Sequence, residues 1–151
     1  MHRWLTLGAN LGVLVGILLL VVELNQNRTT MRAQTRSELS TGIVDLFVSV
    51  AENPELASLR RRADREGEQL GPDEAYRYEI LTRAFFRYWE NVHYQYRQGL
   101  YDEIEFSRQR EAWRSYAHES TALVQWWCTH RGGFSPQFAG EFDGLLPPPG
   151  C

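Results

Sequence analysis

The 151-residue sequence contains no lysine, so all 16 of its basic residues are arginine. Against 19 acidic residues they leave a formal net charge of −3, a balance that gives no reason to expect nucleic acid as a partner. Arginine suits phosphate and carboxylate recognition, but a GC-rich genome produces the same bias. Cysteine is scarce as well. Two residues, Cys128 and Cys151, make no disulfide framework and fit a reducing compartment. Strand-like alternation, repeats of fixed period and long low-complexity segments are all missing. So are a G-x-S-x-G nucleophile elbow, a Walker-type loop and a dinucleotide fingerprint, which leaves no reaction or cofactor specified.

What is there begins with Trp4 to Leu24, WLTLGANLGVLVGILLLVVEL, free of charge until Glu23. About 20 residues at 1.5 Å rise give a helix of about 30 Å, the thickness of a bilayer's hydrocarbon core. A spanning helix is therefore predicted. A cleaved signal peptide would need a shorter apolar region and an Ala-x-Ala-like site, whereas Val22 is followed by Glu-Leu-Asn-Gln-Asn-Arg. Gly8, Gly12 and Gly16 recur every fourth residue and stack on one face, a tandem small-xxx-small pattern that predicts close helix packing, most simply in a homo-oligomer. Asn10, about 160° around the helix from Gly12, points instead toward the nearby headgroups. Arg3 and the terminal amine precede the span, and Arg28, Arg32 and Arg36 follow it. The heavier positive flank predicts that the C-terminal domain is cytoplasmic. The same three arginines form a basic stripe that would attract anionic lipid headgroups at about 1 kcal/mol each.

The chain divides into a transmembrane anchor at 1–27, a juxtamembrane helix at 28–52, a helical bundle at 53–146 and a Pro-rich tail at 147–151. Whether the first two form one helix is open, because Asn25 to Thr30 are poor helix formers. Leu39, Ile43, Leu46, Phe47 and Val50 then make an apolar stripe that something must cover. Asn53-Pro54 ends this helix and starts a short one. The mixed-sign run from Arg60 to Glu68 reads as a solvated loop. Gly71-Pro72-Asp73 opens the longest soluble helix, to about Gln98, with Tyr78, Leu81, Phe85, Tyr88, Trp89, Val92 and Tyr96 on its core face. Asp102, Ser120 and Ser135-Pro136 start three more helices. The fold class is all-α: a transmembrane helix extended into a juxtamembrane helix, then a small antiparallel bundle.

Two constellations could carry metal chemistry. Glu90 and His93 form one Glu-x-x-His, but di-iron bundles need two copies and two further Glu, and Glu90 points away from the apolar stripe. Cys128 and His130 could lend two ligands to zinc, without a second pair at metal-like spacing.

The chain resembles a loose set of small bacterial proteins of unknown function that begin with one membrane helix and continue into a helical domain. The resemblance rests on Leu11 to Gly16 leading to Glu23 to Asn27, on Arg87 to Asn91 with Tyr94 to Gly99, and on Trp126-Trp127 followed by Phe134 to Phe138. It implies architecture, a single-pass protein of the bacterial inner membrane, and no catalytic residues. Together these readings predict a membrane-anchored interaction or assembly module with a protein partner yet to be identified. The alternative is a membrane-bound enzyme or ligand sensor with a pocket inside the aromatic bundle, using Glu90, His93 or His118.

Overall fold

In the computed structural model, residues 2–151 are described, with α1 side chains described at Gly8 and from Asn10 onward. Arg3, used in the charge count, and Trp4, where the apolar run begins, lie outside the described side chains. Among the described residues there are six α-helices and no strand. The first helix, α1, runs unbroken from His2 to Ala51. The hydroxyls of Thr29 and Thr30 donate back to the carbonyls of Asn25 and Gln26, both at 3.0 Å, inside the segment of poorest helix propensity. Extending an existing helix needs no new nucleus, so apolar and packed turns on either side carry these residues through.

After Asn53, whose side chain accepts from the amides of Glu55 and Leu56, α2 spans Pro54–Arg61. It does not give way to a solvated loop. A π-helical turn, Arg62–Glu66, extends it to Gly67, which takes a positive φ of 64°. The remaining helices are α3 (Pro72–Arg97), α4 (Glu103–Glu119), α5 (Thr121–His130) and α6 (Pro136–Asp143), with a 3₁₀ turn at Arg131–Gly133. Gly99, at φ 71°, closes α3; Asp102 caps α4 through the amides of Ile104 and Glu105; Ser120 caps α5 through Leu123.

α3 runs antiparallel to α1. The Arg32 Nε donates to the Gly99 carbonyl at 2.9 Å, the Tyr88 hydroxyl to the Leu39 carbonyl at 3.1 Å, and Phe47 meets Phe85 with ring centroids 5.8 Å apart. This pairing covers the α1 stripe only in part, since Leu39 is buried and Phe47 remains 47% exposed. At the centre of the bundle Phe86 is fully buried, stacked on Trp126 and Trp127 at 5.1 and 4.9 Å, with Trp89 and Phe142 meeting it edge-on. Rings of this size supply most of the area that holds so small a domain together.

The two cysteines are joined. Cys128 on α5 and Cys151 form a disulfide with Cα atoms 5.4 Å apart, and Leu145, buried in the same core, seats the intervening segment. The Pro-rich segment is thus fastened to the bundle through a turn at 147–149 rather than trailing as an extended tail. The bond departs from the expectation that the two cysteines make no disulfide framework and fit a reducing compartment. The pairing was hidden because it depends on how the segment after α6 folds back onto α5, which spacing does not reveal.

Candidate functional site

Because α1 is one helix, its faces can be followed from its apolar N-terminal part into the bundle. At 100° per residue, Thr35 and Leu39, the two buried among the described residues of α1, lie about 140° and 180° around from Gly12. Arg28 and Arg32 lie at about 160° and 200°, on the bundle side. Gly8, Gly12 and Gly16 therefore face the opposite way. A methyl group placed on any of the three would meet nothing within 4 Å among the described residues, so no described contact needs their smallness. Within Asn10–Ala51 lies a stretch long and apolar enough to cross a membrane, with a mean hydropathy of 1.4 and none of its residues buried. Exposed Val44 and Val48 lie on the glycine side too, Val48 ten turns beyond Gly12.

The arginine stripe is not left free. Arg32 holds the Gly99 carbonyl, and Arg36 pairs with Glu105 at 2.8 Å. Arg28 is exposed, one turn nearer the N-terminus, and has no hydrogen-bond or ion-pair partner among the described residues.

The metal candidates have other occupations. Glu90 Oε1 accepts from the Ser135 amide at 2.7 Å at the start of α6, and Oε2 accepts from Arg87 at 2.6 Å. Burial opposes its ionisation, but these donors outweigh it and hold the carboxyl below the usual range. It is a half-buried tie between α3 and α6, not a solvated surface residue. His93 is buried, its ring between those of Phe106 and Phe138. Desolvation lowers its pKa, against the opposing charge of Glu141. The disulfide takes the Cys128 thiolate out of play as a ligand. His130 stacks on Trp126 and bonds that residue's carbonyl through Nδ1 at 2.8 Å. Among the described residues no group of three His, Cys, Asp or Glu side chains could hold a metal ion.

No family model, curated protein or solved structure matches this chain. The chain has a long apolar helix followed by a packed helical domain.

The rings fill the bundle interior, and a cleft lies outside it, where the end of α1 meets α2 and α5. It holds about 390 Å³, walled by Phe47, Val50, Phe85 and Leu123. Its polar floor centres on Asp64, at the π-helical turn. Asp64 Oδ1 accepts from the hydroxyls of Tyr78 and Ser120 at 2.6 and 2.7 Å, and Oδ2 from Arg60 Nε at 3.0 Å. Burial, followed by the Asp64 charge, raises the Tyr78 pKa and keeps the phenol protonated. This network joins α2, α3 and α5 and was missed in the sequence, since Ser120 lies 56 residues from Asp64. Every oxygen of the carboxylate is engaged, so the arrangement braces the cleft.

Proposed function

We propose that this protein is a single-pass membrane-anchored assembly module that pairs with a second copy of itself through Gly8, Gly12 and Gly16. The observation that carries the reading is the pair of opposed faces on one unbroken helix. The bundle occupies one side of α1, while three glycines whose smallness serves no contact among the described residues line the other. Small residues at this spacing let two membrane helices approach closely, typically crossing at about −40°. Val48 lies 36 residues past Gly12, about 54 Å along the axis. A crossing of that size carries the two helices about 37 Å apart at Val48, which leaves room for both bundles.

The disulfide supports an oxidising compartment for the bundle. That is the opposite side from the one the arginine count favours, and Arg32 and Arg36 have structural duties that account for their presence whatever the topology. Cross-linking in native membranes tests the pairing. Gly12→Leu fills the close-contact face and should abolish the cross-linked dimer, while Leu18→Ala should leave it intact. A dimer that survives Gly12→Leu would remove the glycine face from the account.

A further inference from the structure

The antiparallel α1 and α3 set the α3–α4 turn at the membrane end of the bundle. There a depression of about 580 Å³ is lined by Arg32, Arg36, Tyr101, Asp102, Glu103 and Glu105, among others. Helix rise places Arg28 about 6 Å and Arg32 about 12 Å beyond Leu24, and the headgroup layer extends about 5 to 8 Å beyond the hydrocarbon core. Side chains lean toward the N-terminus of their helix. α1 leaves the bilayer and α4 begins at this end, so both helices have their N-terminal direction toward the membrane, and the arginines and the acidic residues at the start of α4 lean toward the bilayer.

The charges come as both signs at one place. Arg32 lines the depression and uses only its Nε in the bond to Gly99, and Arg28 lies one helical turn toward the N-terminus on the same face of α1. Glu103 is exposed in the first turn of α4 with no ion-pair partner among the described residues. Beside it Ile104 is 72% exposed. A purely anionic headgroup drawn to the arginines would meet the carboxylates of Asp102 and Glu103. A zwitterion satisfies both sets.

We propose that this end of the bundle binds the headgroup of a zwitterionic phospholipid, with its phosphodiester against Arg28 and Arg32 and its primary ammonium against Glu103 and Asp102. The ammonium donates to the carboxylates, and the guanidinium groups donate to the phosphate oxygens. The arginine stripe on its own would favour anionic lipid; the acidic turn folded beside it reverses that preference.

The full chain, released from bilayers holding equal amounts of phosphatidylethanolamine and phosphatidylglycerol, can be weighed with its retained lipids by native mass spectrometry. Phosphatidylethanolamine should be retained about ten-fold over phosphatidylglycerol, a preference of about 1.4 kcal/mol. Glu103→Gln should erase that ratio, and Glu111→Gln, the same charge change further along α4, should not. Equal or greater retention of phosphatidylglycerol by the unmodified chain, or an unchanged ratio in Glu103→Gln, would overturn the proposal. So would binding of soluble phosphoethanolamine as tight as that of the lipid, which would put a free small molecule in the site.

Discussion

Replacing Cys151 with serine removes the disulfide and leaves Cys128, the partner that packs against the core, in place. The bond closes a segment of sequence separation 23. The loop-entropy relation for that length gives about 3 kcal/mol of stabilisation, exerted mainly by restricting the unfolded chain. For a domain of this size that corresponds to a loss of roughly 10 to 20 °C in Tm. The readout is tryptophan fluorescence during urea titration of the detergent-solubilised protein, because Trp89, Trp113, Trp126 and Trp127 all sit in the bundle core. Reductant should shift the unmodified protein to the midpoint of Cys151→Ser and leave the variant unmoved. A second readout belongs to the same prediction. Thiols trapped by acid in intact cells and then alkylated should prove blocked in the unmodified protein. Equal midpoints for the two proteins, together with free thiols in cells, would refute both the stabilising role and the oxidising compartment.

Other residues give independent tests. Phe86→Ala empties the centre of the ring cluster and should cost about 3 to 5 kcal/mol, read as a lower urea midpoint with unchanged slope; a loss under 1 kcal/mol would show that the core is organised elsewhere. His93 should impose a pH dependence. Its folded pKa lies below the ordinary 6.5, so the native state prefers the neutral ring. As pH falls through 6.5 the unfolded chain takes up the proton first, and stability is lost until the folded pKa is reached. The difference in stability between the unmodified protein and His93→Gln should shrink as pH falls below 6.5, and a constant difference from pH 7.5 to 5 would contradict this.

The sequence was most legible where a helix begins or ends, because caps are local. Asn53, Asp102, Ser120 and Gly99 act as their residue types suggest. It was least legible where two distant segments meet. A single apolar stripe on α3 left out Phe86, because α3 is central and packs on neighbours around more than one face. Asp64 looked like part of a solvated charge run, and Glu90 like a surface acid. Their partners, Ser120 and Ser135, stand 56 and 45 residues away. The continuity of α1 is a different case. Weak propensity over Asn25 to Thr30 argued for a possible break, and cooperativity with the turns on both sides won. The disulfide, likewise, follows from the return of the chain after α6 and not from cysteine spacing.

The central claim is that one rigid α1 crosses its twin at the glycines. Spin labels placed at Val48 in the full chain, with Cys128 and Cys151 held in their disulfide, measure it directly in lipid nanodiscs. The account predicts a distance between labels of about 37 Å, set by a crossing of about 40° at Gly12 and a straight helix of about 54 Å to the label. Labels within about 15 Å of one another would mean that the helices run side by side rather than crossing at the glycines, and no dipolar coupling at all would mean that the chains do not pair.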